Sequence, residues 1–136
     1  MKNMQFSIAV HVMAGLGVHR DAGVKSRSLA DSVNACPSFV RRVMAKLSKS
    51  GLVRTTTGKS GSCALARDPR RITLLEIYKA VEAPKAFAIH NYPTKKDCAI
   101  SCGIQASMEK VLDAAQSSLE TRLGKMTLAE VLSGLK

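Results

Sequence analysis

The sequence predicts a mainly α protein: a winged helix-turn-helix domain with a long C-terminal dimerisation helix. Three observations predict it. Between Ser28 and Leu65 a short helix, a tight turn and a cation-faced helix lead directly into a basic hairpin. Positive charge gathers in the same region: residues 1 to 72 hold 13 Lys and Arg against 3 Asp and Glu, whereas residues 73 to 136 hold 8 against 7. Apolar residues also recur at close to heptad spacing from Ile104 to Leu123.

The elements follow in chain order. Gln5 to Leu16 places Phe6, Ile8, Ala9, Val12, Met13 and Leu16 at mostly three- and four-residue intervals, one apolar face of a helix that Gly15 and Gly17 are expected to end. Ser28-Leu29-Ala30-Asp31 starts a second, short helix, with an acid three positions after the serine much as in a capping box. Asn34-Ala35 make a brief turn. Pro37 suits the first position of a third helix, with Cys36 at its N-cap, and Gly51 suits its termination after Ser50. On that helix Val40, Val43, Met44 and Leu47 share one face, while Ser38, Arg41, Arg42, Lys46 and Lys49 occupy the other.

Leu52 to Thr57 is β-prone, Gly58-Lys59-Ser60-Gly61 is a glycine-bounded turn, and a short return strand carrying Cys63 follows. Gly58-Lys59-Ser60 resembles the tail of a nucleotide-binding loop. That loop needs a glycine five residues before Gly58, where Val53 stands, and a long helix afterwards, where Arg67-Asp68-Pro69 stands. A hairpin with an exposed basic tip is the better reading. Ile72 to Val81 reads as a helix that Thr73 can cap, and residues 83 to 97, with Pro84 and Pro93, read as a loop. A long helix then runs from about Ile104 to Leu123, with Ile104, Met108, Val111, Leu112, Ala115, Leu119 and Arg122 or Leu123 along one seam. It can pack on its own domain or pair with the same helix of a second subunit; the second is favoured. The chain divides into a winged helix-turn-helix domain (1–82), a loop with sensor cysteines (83–103), and a dimerisation helix with a C-terminal helix (104–136).

A net charge of +11 over 136 residues predicts a polyanionic partner. Three Phe, two Tyr and no Trp argue against stacking on single strands, which leaves double-stranded DNA. No run of 18 apolar residues and no cleavable secretory pattern occurs, which predicts a cytoplasmic chain without a membrane partner, where four cysteines are not expected to form structural disulfides.

The stretch LADSVNACPSFVRRVMAKLSKSGLVRTTTGKSGSCALARDPRRITLLEIYKAVE, with the helix before it and TLAEVL near the end, resembles the Rrf-two family of bacterial regulators, the IscR, NsrR and CymR group. The resemblance covers nearly the whole chain. It implies a homodimeric transcription factor, usually a repressor, on a palindromic operator, with the sensed signal differing among members.

In such a complex Ser28 and Ser38, near the starts of their helices, are placed to give hydroxyl or backbone N–H groups to phosphates. Arg41 and Arg42 are the candidates for base edges, because a guanidinium can bond guanine O6 and N7 together. Lys46, Arg54 and Lys59 suit point-charge phosphate contacts, and Ser60 accompanies Lys59 at the hairpin tip.

Iron-sulfur members of the family carry three closely spaced cysteines before the dimer helix, where this chain has only Cys98 and Cys102. Two thiolates fall short of a cluster's complement, although His90, Asp97 or a second subunit could complete it. A zinc site from His90, Cys98 and Cys102 has no standard spacing. The expectation is therefore no metal and no resident cofactor, with a thiol switch preferred. Cys36, at a helix N-terminus near Arg41 and Arg42, has the setting that lowers a thiol pKa, and the family more often has a small hydroxyl or apolar residue there. A disulfide from Cys36 to Cys98 or Cys102 of the other subunit would change the spacing of the recognition helices. The alternative is that these cysteines are small hydrophobes without function, as Cys63 is expected to be. Cys98 with His90 could be imagined as nucleophile and base, but no acidic orienter or oxyanion loop accompanies them, so enzyme function is not expected. A non-specific architectural DNA binder is the remaining alternative.

Overall fold

The computed structural model describes residues 4–19, 24–55 and 62–135. Its elements, in order, are α1 (Gln5–Val18), β1 (Val24–Lys25), α2 (Ser26–Val33), α3 (Pro37–Lys49), β2 (Val53–Thr55), β3 (Ser62–Leu65), a 3₁₀ turn (Pro69–Arg71), α4 (Leu74–Ala80), α5 (Ala99–Gly124) and α6 (Leu128–Ser133). The mainly α winged-helix architecture with a long C-terminal helix is as expected.

Two helix ends set the helix-turn-helix geometry, and each is closed in the same way. After α2, Asn34 adopts a left-handed φ of 57°, Ala35 N–H donates to the Ala30 carbonyl and Asn34 N–H to that of Asp31. After α3, Gly51 takes φ 78°, Leu52 N–H donates to the Leu47 carbonyl and Gly51 N–H to that of Ser48. This paired closure satisfies otherwise orphaned carbonyls, and the buried Leu52 supplies its usual apolar contact. The chain therefore leaves α3 in a fixed direction, straight into the wing.

The wing is a three-stranded antiparallel sheet in the order β1-β3-β2. Val53 faces Leu65, Arg54 faces Ala64, Thr55 faces Cys63, and on the other edge Val24 faces Cys63. Val53, Cys63 and Leu65 go inward, so Cys63 is a buried hydrophobe as expected. Strand β1 was not expected: two residues carry no periodic signal. The predicted hairpin tip, including Lys59 and Ser60, lies outside the described residues.

The core is where α1, α2, α3 and α4 meet the sheet. Val12, Met13, Val40, Val43, Leu47, Ile72, Ile77 and Leu128 are among its fully buried side chains. Gly15 and Gly17 do not end α1; they lie inside it. A Cβ on Gly15 would stand 3.1 Å from Leu29 Cδ2, and one on Gly17 would stand 2.7 Å from Leu132 Cδ1. Their role is close approach of α1 to α2 and α6, which outweighs the roughly 1 kcal/mol propensity cost of a helical glycine.

Two Thr-Leu-x-Glu segments start α4 and α6 in parallel fashion. Thr73 accepts from the Glu76 N–H while the Glu76 carboxylate takes the Thr73 N–H, a full capping box, and Thr127 likewise accepts from the Glu130 N–H. The two caps bridge each other: Leu74 N–H donates to the Met126 carbonyl and Leu128 N–H to that of Ile72, both at 2.9 Å. This ties the chain after α5 back to the chain before α4. Helix α2 begins at Ser26 rather than Ser28, with Lys25 at its N-cap. Helix α5 begins at Ala99 rather than 104, because the Cys98 sulfur accepts the Ser101 N–H and caps an extra turn. Cys102 is therefore helical, and the loop between α4 and α5 stops at Cys98.

Glu76 also binds Arg67 at 2.6 Å, fastening the wing's exit to α4. Burial pushes the Glu76 carboxyl up, but the Arg67 guanidinium and the Thr73 N–H and hydroxyl together hold it below the ordinary carboxylate value. A folded pKa below the unfolded one gives stability that is present above the unfolded value of about 4.3 and is lost as pH falls through the folded value. Glu76→Gln is expected to lower the melting temperature at pH 7 and to leave a smaller difference from the parent below about pH 4. A variant that melts like the parent at pH 7 would remove this anchor from the account.

Candidate nucleic-acid interface

The surface is built on α3, and the sequence of α3 dictates it. Val40, Val43, Met44 and Leu47 on its inner face are at most 4% exposed. The opposite face carries Arg41, Arg42, Lys46 and Lys49, and the helix contains no acid. Ser38, Arg41, Arg42 and Lys49 are exposed, and Arg41 makes no ion pair with the described residues. Arg42 is held differently: its guanidinium lies over the Phe39 ring, 5.6 Å from the centroid. That contact holds it back over the start of α3 and leaves Arg41 the freer of the two.

Lys46 has an acidic partner. It is half-buried, and its ammonium stands 3.9 Å from the Glu82 carboxylate. Glu82 sits at φ 55° in the turn after α4, so this pair spans α3 and α4. Sequence separation hid it. Lys46 thus lies at the margin of the cationic face, partly neutralised, whereas Lys49 stands in the open.

Helix α2 contributes Ser28, exposed in its first turn, with Arg27 exposed beside it. Arg54 is exposed on β2, which packs on α3. Pairing of β1 with β3 brings Lys25 opposite Ser62 at the sheet's outer edge. Lys25 and Arg27 escaped the sequence reading, because the only signal for them was charge beside a strand too short to recognise.

At the N-terminus of α3, Pro37 occupies the first turn and Cys36 is the N-cap residue, as expected. The Cys36 thiol is exposed and lies 3.1 Å from the Ser38 hydroxyl. That hydroxyl, then the backbone N–H groups of Ser38 and Phe39 and the charge of Arg41, hold the thiol below its ordinary value. Ser38 is therefore engaged with sulfur in the free protein. Cys36 also lines a groove with Met4, Ile8, His11 and Phe39, between α1 and the turn of the helix-turn-helix.

Cys98 and Cys102 lie elsewhere, at the start of α5. The Cys98 sulfur is half-buried as the cap of the helix; that of Cys102 is exposed and donates to the Lys95 carbonyl at 3.3 Å. His90 stacks on Tyr92, with centroids 4.9 Å apart. Among the described residues no three His, Cys, Asp or Glu side chains converge on a point that could hold a metal ion. Cys98 and Cys102 of one chain supply two thiols, short of the four ligands a cluster usually takes. Among the described residues no helix is long and apolar enough to cross a membrane.

Comparison with known proteins agrees with this surface. Residues 3–134 match the Rrf2 family, described as iron-dependent transcriptional regulators. YwnA of Bacillus subtilis, named as an HTH-type transcriptional regulator, is 32% identical over 99% of this chain and 99% of its own. A crystal structure from Lactobacillus plantarum, named as a transcriptional regulator, superposes with a TM-score of 0.80 at 28% identity, covering 97% of this chain and 89% of that one. IscR of T. potens has the same fold, with a TM-score of 0.73 at 23% identity over 100% of this chain and 88% of its own. With the cation-faced α3, the adjoining wing and the family match in hand, the chain belongs to the Rrf2 family: it is a DNA-binding winged-helix transcriptional regulator and not an enzyme.

Proposed function

We propose that the protein is a homodimeric repressor of palindromic operators, switched by thiol oxidation and not by a resident cluster. The observation that carries the DNA reading is α3 itself, with four cations and no acid opposite a wholly buried apolar face. In a two-fold dimer the two α3 helices enter successive major grooves, about 34–36 Å apart. Arg41 reads base edges. Ser28, Ser38, Lys46, Arg54, Lys59 and Ser60 hold phosphates, and Arg42 joins the readout only by leaving Phe39.

The dimer reading is supported by what α5 leaves uncovered. Of the seam residues only Leu123 is buried by the chain's own domain; Val111 is 56% exposed, and Ile104, Met108, Leu112 and Leu119 are half-covered. Ile100, in the added first turn, is 74% exposed. A 26-residue helix with that much open apolar surface calls for a second copy.

The switch reading rests on Cys36. Its thiolate attacks one oxygen of a peroxide, the S–O bond of a sulfenic acid forms as the O–O bond breaks, and the departing hydroxide takes up a proton. Cys98 or Cys102 of the partner subunit then displaces water from that sulfur to form a disulfide.

Three measurements test the proposal. Arg41→Ala is expected to cost about 1–3 kcal/mol of operator binding and to relax base preference, whereas Lys59→Ala weakens all sequences alike and lowers the salt slope by about one. Equal binding by both variants and the parent in roughly 200 mM salt would refute these roles. Val111→Glu is expected to give a monomer by light scattering, with palindrome affinity reduced at least tenfold; a parent that is itself monomeric would end the dimer reading. Mild peroxide is expected to yield a covalent dimer on a non-reducing gel that Cys36→Ser abolishes, from colourless protein purified without oxygen. Brown protein would select a cluster instead.

A further inference from the structure

Two α5 side chains, Leu123 and Gln116, are buried against the rest of the chain and differ in kind, while an exposed ion pair between Lys85 and Asp113, 3.3 Å apart, adds a weaker tie. Leu123 makes an apolar contact, which tolerates sliding and rotation. Gln116, two turns earlier, is the one buried polar side chain among the described residues, at 7% exposure. All of its amide is used. The carbonyl oxygen accepts the Ala86 N–H at 3.0 Å, and the amide nitrogen donates to the Tyr78 hydroxyl at 3.0 Å and to the Glu120 carboxylate at 3.2 Å. The Tyr78 hydroxyl in turn donates to the Pro84 carbonyl, and its ring meets Phe6 of α1 edge-on with centroids 5.4 Å apart. One glutamine thereby ties α5 to α4, to the loop after α4 and, through Tyr78, to α1.

Buried hydrogen bonds are directional, and an unpaired partner is costly, so such a clamp fixes an angle where an apolar contact does not. The angle has leverage. From Gln116 back to Ala99 the helix extends about 25 Å at 1.5 Å per residue. A turn of about 10° at the clamp would swing that end by about 4 Å, close to the roughly 3.4 Å rise of one base pair along a strand.

The geometry points to Gln116, acting through Tyr78, as the positioning residue that sets the distance between the two recognition helices and hence the half-site spacing the dimer accepts. This rests on the dimeric, palindrome-binding reading given above. Neither residue touches DNA in it.

The test uses the full-length protein and a duplex selected on the native protein from a random-sequence library, rebuilt with its central spacer shortened or lengthened by one and two base pairs. The native protein is expected to prefer one spacing sharply. Gln116→Leu, similar in size but without the amide, is expected to lose about tenfold of that preference while remaining a dimer and binding a single half-site as before. Tyr78→Phe, which keeps the ring against Phe6 and removes only the hydroxyl, is expected to flatten the profile in the same direction and carries the test should the leucine variant not fold. If both folded variants keep the native spacing profile, the positioning role is overturned and the dimer reading stands. If the native protein is monomeric, or binds every spacing alike, the dimer reading fails and takes this inference with it.

Discussion

Burial of one face of α3 is the constraint on which the rest depends. Val40, Val43, Met44 and Leu47 lie almost entirely out of water, and each contributes roughly 1.5–3 kcal/mol by being there. An exposed ion pair contributes at most about 1 kcal/mol. Rotation of α3 about its axis is therefore decided by the apolar side chains, and the cations take the direction that is left. The same burial explains the two helix closures. Asn34 and Gly51 adopt left-handed backbone conformations so that α3 can enter and leave the core without unpaired carbonyls. Function here is the by-product of a core that could pack in one orientation only.

The two halves of the chain solve opposite problems. The winged helix closes its own core and presents charge; α5 leaves apolar surface open and presents little net charge. Cross-bridging of the Thr73 and Thr127 caps joins them, so α6 returns to pack on α1 while α5 projects. An arm anchored at its C-terminal half, with Ile100 and Val111 exposed toward its N-terminus, would in the proposed dimer be completed by a second copy of itself. In the proposed dimer, the geometry of that anchor becomes a property of DNA recognition, although no atom of it would lie near a phosphate.

Much of this was legible in the sequence, for identifiable reasons. The faces of α3, the N-cap position of Cys36, the closure at Gly51 and the cap at Thr73 are all decided within one or two helical turns, where spacing and residue type suffice. What spacing alone does not show depends on partners far away in sequence. Gly15 and Gly17 look like terminators until Leu29 and Leu132 are seen against them. Lys46 looks like a free cation until Glu82 arrives from the end of α4. Gln116 looks like an ordinary surface residue in an amphipathic helix, because the residues that bury it are 30 and 38 positions earlier. The first turn of α5 is hidden because its periodic seam starts only at Ile104 and cysteine is a weak capping signal, yet Cys98 caps the helix.

Cys36 shows what local chemistry can add to such a scaffold. Serine, threonine or aspartate at an N-cap contributes about 1 kcal/mol by accepting a backbone N–H, and Cys36 makes no full capping bond. A cysteine there gives up stability for a group that can carry charge. The N-terminus of α3 is also where a DNA phosphate would seek the open N–H groups and the positive end of the helix dipole. In the proposed role, thiolate and phosphate compete for the same place, and the lowered pKa of Cys36 sharpens the competition. Ser38 sits at its centre, since its hydroxyl cannot donate its one proton to a Cys36 thiolate and to a phosphate oxygen at once. On DNA, a phosphate close to Cys36 would disfavour the thiolate and slow its oxidation; once oxidised, the sulfur would resist return of the phosphate. Binding and oxidation would then exclude each other by electrostatics alone, even before any disulfide moves a helix.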